Sequence, residues 1–217
     1  MKIRTELDLQ NIVDKEMAWR KRELISIKST VETSRKFAHN TSLRSGIAMV
    51  YAHWEGGIKN IATYYLCHVS CQKLKYCELK RNFLSLAIRN ELGIFEKTNK
   101  ATLHNEIVDS VFNKMEEKAN LPYENIVKTA SNLNSEVFKE IMALIGLSDE
   151  QYSSSYNLID EVLLKQRNQI AHGDRLDIIN LDKERFIEIY GKILELLELF
   201  STQVMNSAAI KDYRVSD

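Results

Sequence analysis

A single proline, Pro122, in a chain of 217 residues is the feature that most narrows what this sequence can fold into. Average usage would supply about 11 prolines and about 15 glycines, whereas this chain has 7 glycines. Sandwiches, barrels and doubly wound sheets reverse the chain at every connection, and those reversals draw on Gly and Pro. That turn chemistry is missing, so the expected fold class is all-α. A chain of this length forms one large domain and buries roughly 70% of its unfolded surface without disulfides or metals. The 30 cationic and 30 anionic side chains give a formal net charge of zero. A general basic coat for nucleic acid is thereby excluded, and any RNA or DNA site has to be a local concentration of charge.

Cys67, Cys71 and Cys77 are an odd number crowded together, and the charged start MKIRTELDLQ contains no apolar signal stretch. This predicts a reduced, cytoplasmic protein. The most apolar stretches, such as KILELLELF, are broken by charge, so no membrane association is expected.

Apolar residues at three- and four-residue steps predict a half-buried helix from about Leu7 to Lys36. His39, Asn40, Thr41 and Ser42 read as the turn and N-cap that follow it. The next segment, SLRSGIAMVYAHWEGGIKNIATYYLCHV, carries a bulky face containing Tyr51, Trp54, Ile58 and Tyr65. It also carries a row of small residues, Ser45, Ala48, Ala52 and Gly56, which predicts close packing on several sides. Gly56 and Gly57 each cost about 1 kcal/mol of helix propensity, which close packing or a kink must offset. Shorter helices are expected near Asn82 to Leu92, from His104 to Lys118 with its end at Asn120-Leu121-Pro122, and from Ser135 to Leu147. After a polar connection from Asp149 to Ser155 come NLIDEVLLKQRNQIAHG and a last amphipathic helix from Asp182 to about Asn206. The architecture predicted is a helical bundle of about four long helices with a short-helix insertion, in a single domain over 1–217.

The sequence has no Gly-rich phosphate loop, no GxSxG, no HExxH and no CxxC pair, so no cofactor or metal is expected. Cys67, His68 and Cys71 offer fewer soft ligands than a tetrahedral metal site needs and read as small buried or half-buried residues. Arg20-Lys21-Arg22 reads as a solvated face, with contact to nucleic acid the alternative. In KQRNQIAHG, Arg167 and His172 stand at the end of a helix whose stop signal is Gly173. Taken alone, such a pair is as readily a surface ion-pair residue and a helix cap.

The combination of RNQIAHG with the earlier YAHWEGGIKNIATYYL resembles the HEPN superfamily, whose signature is an Arg, four to six residues, then a His. Within it the two segments look like the HEPN nuclease-like group of bacterial toxin-antitoxin and antiphage defence systems. The similarity covers a helical core over 41–210, with 1–40 as an N-terminal amphipathic helix. It implies a metal-independent endoribonuclease acting as a homodimer, with Arg167, Asn168 and His172 as the catalytic residues. It also implies an RNA substrate and, as partner, an antitoxin or a sensor or ATPase from a neighbouring gene. The alternative is a non-catalytic HEPN dimerisation module that binds nucleic acid, nucleotide or a partner protein.

The chemistry suits these residue types. Attack by a 2′-OH needs a base near neutral pH, an acid for the leaving oxygen and positive charge for the phosphorane. His172 can serve as base or acid, and the fork of Arg167 matches phosphate oxygens. Only one such His stands in each chain, so a two-fold dimer would supply the second. On an ideal helix a five-residue offset turns the direction by about 140°, which separates Arg167 from His172 unless the helix loosens at Gly173. Glu55 is the further candidate: it either orients Arg167 or His172 or pairs with Lys59 one turn on. His53 and Trp54 read as packing residues.

Overall fold

The structure is a computed structural model that describes residues 2–35, 37–130, 132–173 and 181–215. Helix α1 (Glu6–Thr33) starts at a capping box: Thr5 Oγ1 accepts from the Asp8 N–H and the Asp8 carboxylate accepts from the Thr5 N–H, both at 3.0 Å. It ends where Ser34 turns extended and its hydroxyl donates to the Val31 carbonyl at 2.8 Å. The expected end near Lys36 lies outside the described residues. Helix α2 (Phe37–Cys71) begins almost at once. His39, Asn40, Thr41 and Ser42 are therefore not a turn but part of α2, because Ser34 has already reversed the chain.

Helix α8 (Lys183–Ala209) is capped by Asp182, whose side chain accepts from the Arg185 N–H. It packs against α1 and α2, and Leu24, Trp54, Ile58, Phe186, Leu197 and Phe200 are buried along these seams. The fourth member of the bundle is composite. A 3-10 segment (Glu150–Ser155) leads into a π-helical segment (Leu158–Leu164), which continues as α7 (Lys165–Ala171). The polar connection predicted over Asp149 to Ser155 is thus itself helical, with Tyr152 and Ser155 buried. The fold is all-α and, among the described residues, holds no strand.

The insertion contains α3 (Arg81–Ala87), α4 (Arg89–Lys97), α5 (Ala101–Lys114) and α6 (Ser135–Ile145). The helix expected from Asn82 to Leu92 is split at Ile88. Helix α5 ends at Lys114, well before Pro122, because the following backbone bonds to the 74–77 segment: Cys77 N–H to Met115 O at 2.9 Å and Ala119 N–H to Leu74 O at 2.7 Å. Helix α6 is closed at both ends by local chemistry, Asn134 accepting from the Val137 N–H and Gly146 turning left-handed at φ 74°. Among the described residues α4 and α5 bury no side chain in the core, and they hold each other through the stacked rings of Phe95 and His104, 4.0 Å apart.

The small-residue row of α2 does not pack as expected: Ser45 and Ala52 are exposed. The close approaches fall instead at Gly46, where a Cβ would lie 2.6 Å from Phe186 Cε2, and at Gly57, 2.6 Å from Leu197 Cδ2.

Candidate functional site

Helix α2 presents two chemical faces from the segment YAHWEGGIKNIATYYL. One faces α1, where Arg20 is only 4% exposed. Arg20 Nη2 and Nε bond Glu16 Oε1 at 2.6 and 3.0 Å, and Arg20 Nη1 lies 3.3 Å from both the carbonyl O and the Nδ1 of His53. Glu16 also accepts from Asn60 Nδ2 at 2.7 Å, Trp19 Nε1 at 3.2 Å and the Tyr64 hydroxyl at 3.4 Å. A Cβ on Gly56 would stand 3.0 Å from Arg20 Nη2, so the missing side chain is what admits the guanidinium to the helix surface. Arg20 is therefore no solvated residue. The expectation failed there because the Arg20 and Glu16 pair within α1 is covered by His53, Gly56 and Asn60 of α2, whereas Lys21 pairs with exposed Glu198 and Arg22 is exposed.

Arginine always donates, so Nδ1 of His53 accepts and Nε2 carries the proton. Nε2 lies 3.1 Å from Glu23 Oε2, off the line of a hydrogen bond. Burial first, then the Arg20 charge, lowers the His53 pKa, which keeps the ring neutral at pH 7. For Glu16, burial raises the pKa but the hydrogen bonds from Asn60, Arg20 and Trp19 outweigh it and lower the value. His53 and Trp54 are buried, as the packing reading has it.

The opposite face of α2 carries Tyr51 and Glu55 toward α7. The Arg167 guanidinium carbon lies 4.7 Å from the centroid of the Tyr51 ring, within range of a cation–π contact. Arg167 Nη1 donates to Asn168 Oδ1 at 2.8 Å and, at 3.4 Å, to Asn132 Oδ1. The Tyr51 hydroxyl accepts the Leu133 N–H at 2.6 Å, and Glu55 accepts from Thr129 Oγ1. Burial, together with the nearby Glu55 carboxylate, pushes the Tyr51 pKa up to about 12, against the Leu133 hydrogen bond and the Arg167 charge. The loop before α6 is fixed from its other end as well, where Asp160 of the π segment accepts from the Ser135 N–H at 2.7 Å.

His172 closes α7. Its N–H bonds Asn168 O at 3.0 Å, Gly173 follows at φ 86°, and the His172 side chain is exposed. Arg44 Nη2 donates to the Ile170 carbonyl at 3.1 Å, bringing a second guanidinium to this helix end. Arg167 and Asn168 are thus brought together and half-buried, with His172 one turn further on at the surface. Glu55 accepts from Thr129, and its carboxylate lies beside the hydroxyl of Tyr51, the residue whose ring meets Arg167. Sequence reasoning missed Tyr51, Thr129 and Asn132, which carry no local signal because they meet α2 or α7 only across the fold. Among the described residues no three His, Cys, Asp or Glu side chains converge as they would around a metal ion.

The family model described as RiboL-PSP-HEPN matches residues 15–206, a span that contains both faces of α2 and all of α7. The chain belongs to this HEPN family. Comparison with curated proteins and with solved structures gives no match. The HEPN match starts at residue 15, just before the Glu16 and Arg20 pair, so it takes in the part of α1 that grips α2. No helix among the described residues is long and apolar enough to cross a membrane.

Proposed function

We propose that this HEPN protein is a metal-independent endoribonuclease that cleaves RNA by transesterification in a cleft shared by two protomers. One observation carries the reading: a guanidinium preset by Asn168, Asn132 and the Tyr51 ring stands on the same short helix as an exposed terminal imidazole. In the reaction the 2′-oxygen bonds to phosphorus as the bond from phosphorus to the 5′-oxygen breaks. One His172 takes the 2′ proton, the partner's His172 protonates the leaving oxygen, and Arg167 balances the charge of the phosphorane. Asn168 holds one edge of Arg167 so that the planar fork keeps its direction. Glu55 acts at one remove, through Thr129 and the Tyr51 hydroxyl beside it. In the cell the protein acts as a toxin or antiphage effector, restrained by an antitoxin or sensor partner, the setting that the resemblance implies.

The test is cleavage of single-stranded RNA in EDTA. The expected products carry 2′,3′-cyclic phosphate ends, and His172→Ala, folded and dimeric, cuts nothing and no longer inhibits growth. Equal cutting by wild type and His172→Ala, or exclusive 5′-phosphate products, would overturn the mechanism. If neither protein cuts RNA and both bind it alike, the chain is a HEPN binding module.

A further inference from the structure

The far end of α2, remote from α7, gathers cations whose side chains form no ion pair among the described residues. A cleft of about 590 Å³ there is lined by Lys2, Arg4, Lys73, Ser70, Asn120 and Tyr123, together with Cys71. A neighbouring cleft shares Arg4 and adds Lys211; Glu6 is the one carboxylate lining either of the two. Elsewhere the exposed cations are commonly paired, as Lys75 is with Glu116 and Lys80 with Asp212, each at 2.7 Å. Lys2, Arg4, Lys73 and Lys211 take part in no ion pair among the described residues.

Two of the four sit in unusual backbone. Lys73 just past α2 and Lys211 just past α8 have φ of 54° and 57°, the left-handed region that helix ends normally give to glycine. A lysine there needs a reason, and opposing the negative end of each helix is one. That reason accounts for neither Lys2 nor Arg4, which belong to the extended segment before α1. Ser70 and Tyr123 line the cleft from the fold itself, Ser70 donating to the Leu121 carbonyl at 3.1 Å and the half-buried Tyr123 ring packing against the core, so the cations surround a fixed aromatic residue. Cations around an aromatic ring are what a single-stranded nucleic acid needs: charge for successive phosphates and a face on which a base can stack.

We infer that this pole is a second contact for the RNA strand, holding its backbone away from the site of cleavage. The choice of ligand rests on the endoribonuclease reading. From Arg44, which bonds the end of α7, to Cys71 the helix axis runs about 40 Å at 1.5 Å per residue, so a long strand reaches both places and a short one only the first. In a protein of zero net charge, such a distant patch supplies affinity that the α7 end alone lacks.

Fluorescence anisotropy with a labelled single-stranded RNA tests this, using the full chain with His172→Ala so that the strand stays whole. Adding Lys2→Ala, Arg4→Ala and Lys73→Ala is expected to weaken binding of a long strand at least about tenfold at physiological salt. It is also expected to lower the slope of log K against log salt by about 2, roughly 0.7 for each lost phosphate contact. Lys73→Glu alone should move both in the same direction. Neutralising Lys139, Arg185 and Lys192, which pair with carboxylates on their own helices, should change neither. Unchanged affinity and slope in the triple variant, displacement of the RNA by polyglutamate as readily as by RNA, or no binding of RNA at all would overturn the inference. Cleavage of a short strand by the chain with His172 intact is measured separately. Its absence would sink the endoribonuclease reading while the binding result still decides the role of this pole.

Discussion

Tyr51 serves two neighbours at once, its ring lying against Arg167 and its hydroxyl accepting the buried Leu133 N–H at 2.6 Å. The two roles separate by substitution. Tyr51→Phe keeps the ring and orphans the N–H, so stability should fall by about 1–3 kcal/mol while RNA cleavage largely survives. Tyr51→Leu removes the aromatic face as well, and kcat should drop further because the guanidinium loses its support. Urea unfolding read beside cleavage rates distinguishes these outcomes, and equal rates for Phe and Leu would mean that the ring does not position Arg167. Glycines give a second residue-scale prediction. At Gly46 an added methyl meets the rigid Phe186 ring at 2.6 Å, so Gly46→Ala should cost about 1–3 kcal/mol. At Gly191, inside α8, a methyl meets nothing within 4 Å, and Gly191→Ala should stabilise by up to about 1 kcal/mol in the same urea titration.

The seam between α1 and α2 is held by one buried ion pair with its hydrogen bonds completed from both helices. Arg20→Ala would leave the Glu16 carboxylate buried and uncompensated, a loss of about 3–5 kcal/mol, whereas Arg20→Met with Glu16→Leu should recover most of it. Chemical denaturation of Arg20→Met, Glu16→Leu and their double variant closes the cycle, and additive losses would mean that the pair is not coupled. The same seam sets a pH dependence. The folded protein holds the His53 pKa below its ordinary value, so the unfolded chain binds a proton first as pH falls through about 6.5. Stability therefore decreases on acidification from neutral pH, and the lowered Glu16 value continues the loss further down. Melting temperature should be lower at pH ~5.5 than at pH ~7.5. His53→Gln should flatten part of that slope and buried His68, lowered likewise, should account for more of it.

At the scale of the whole molecule, one chain supplies one His172 and one Arg167, so the proposed reaction requires two chains. Sedimentation at micromolar concentration should give a dimer, and cleavage per protomer should fall when the protein is diluted below the dissociation constant of that dimer. A monomer with constant specific activity on dilution would count against a shared cleft. The α4 and α5 pair stands apart from this requirement. It exposes Leu92, Ile94, Phe95, Val108 and Phe112 on the surface of the insertion, and its deletion as a unit should leave the three-helix packing of α1, α2 and α8 intact.

The sequence alone determined the all-α class, the courses of α1 and α8, the body of α2 beyond Ser42, the presence of α6 and the stop at Gly173. Each follows from periodicity or backbone preference within a few neighbouring residues, such as the φ of 86° that Gly173 adopts. It also placed Arg167, Asn168 and His172 at the end of one helix. What it left open were the partners of those residues. The contact of His53 with Arg20 spans 33 positions, that of Glu55 with Thr129 spans 74 and that of Tyr51 with Leu133 spans 82. Whether a guanidinium is solvated, buried in an ion pair or stacked on a ring depends on which helix lies opposite. That is decided only when the apolar faces of α1, α2, α7 and α8 close on one another, since burial changes what a charge costs and which hydrogen bonds it must find.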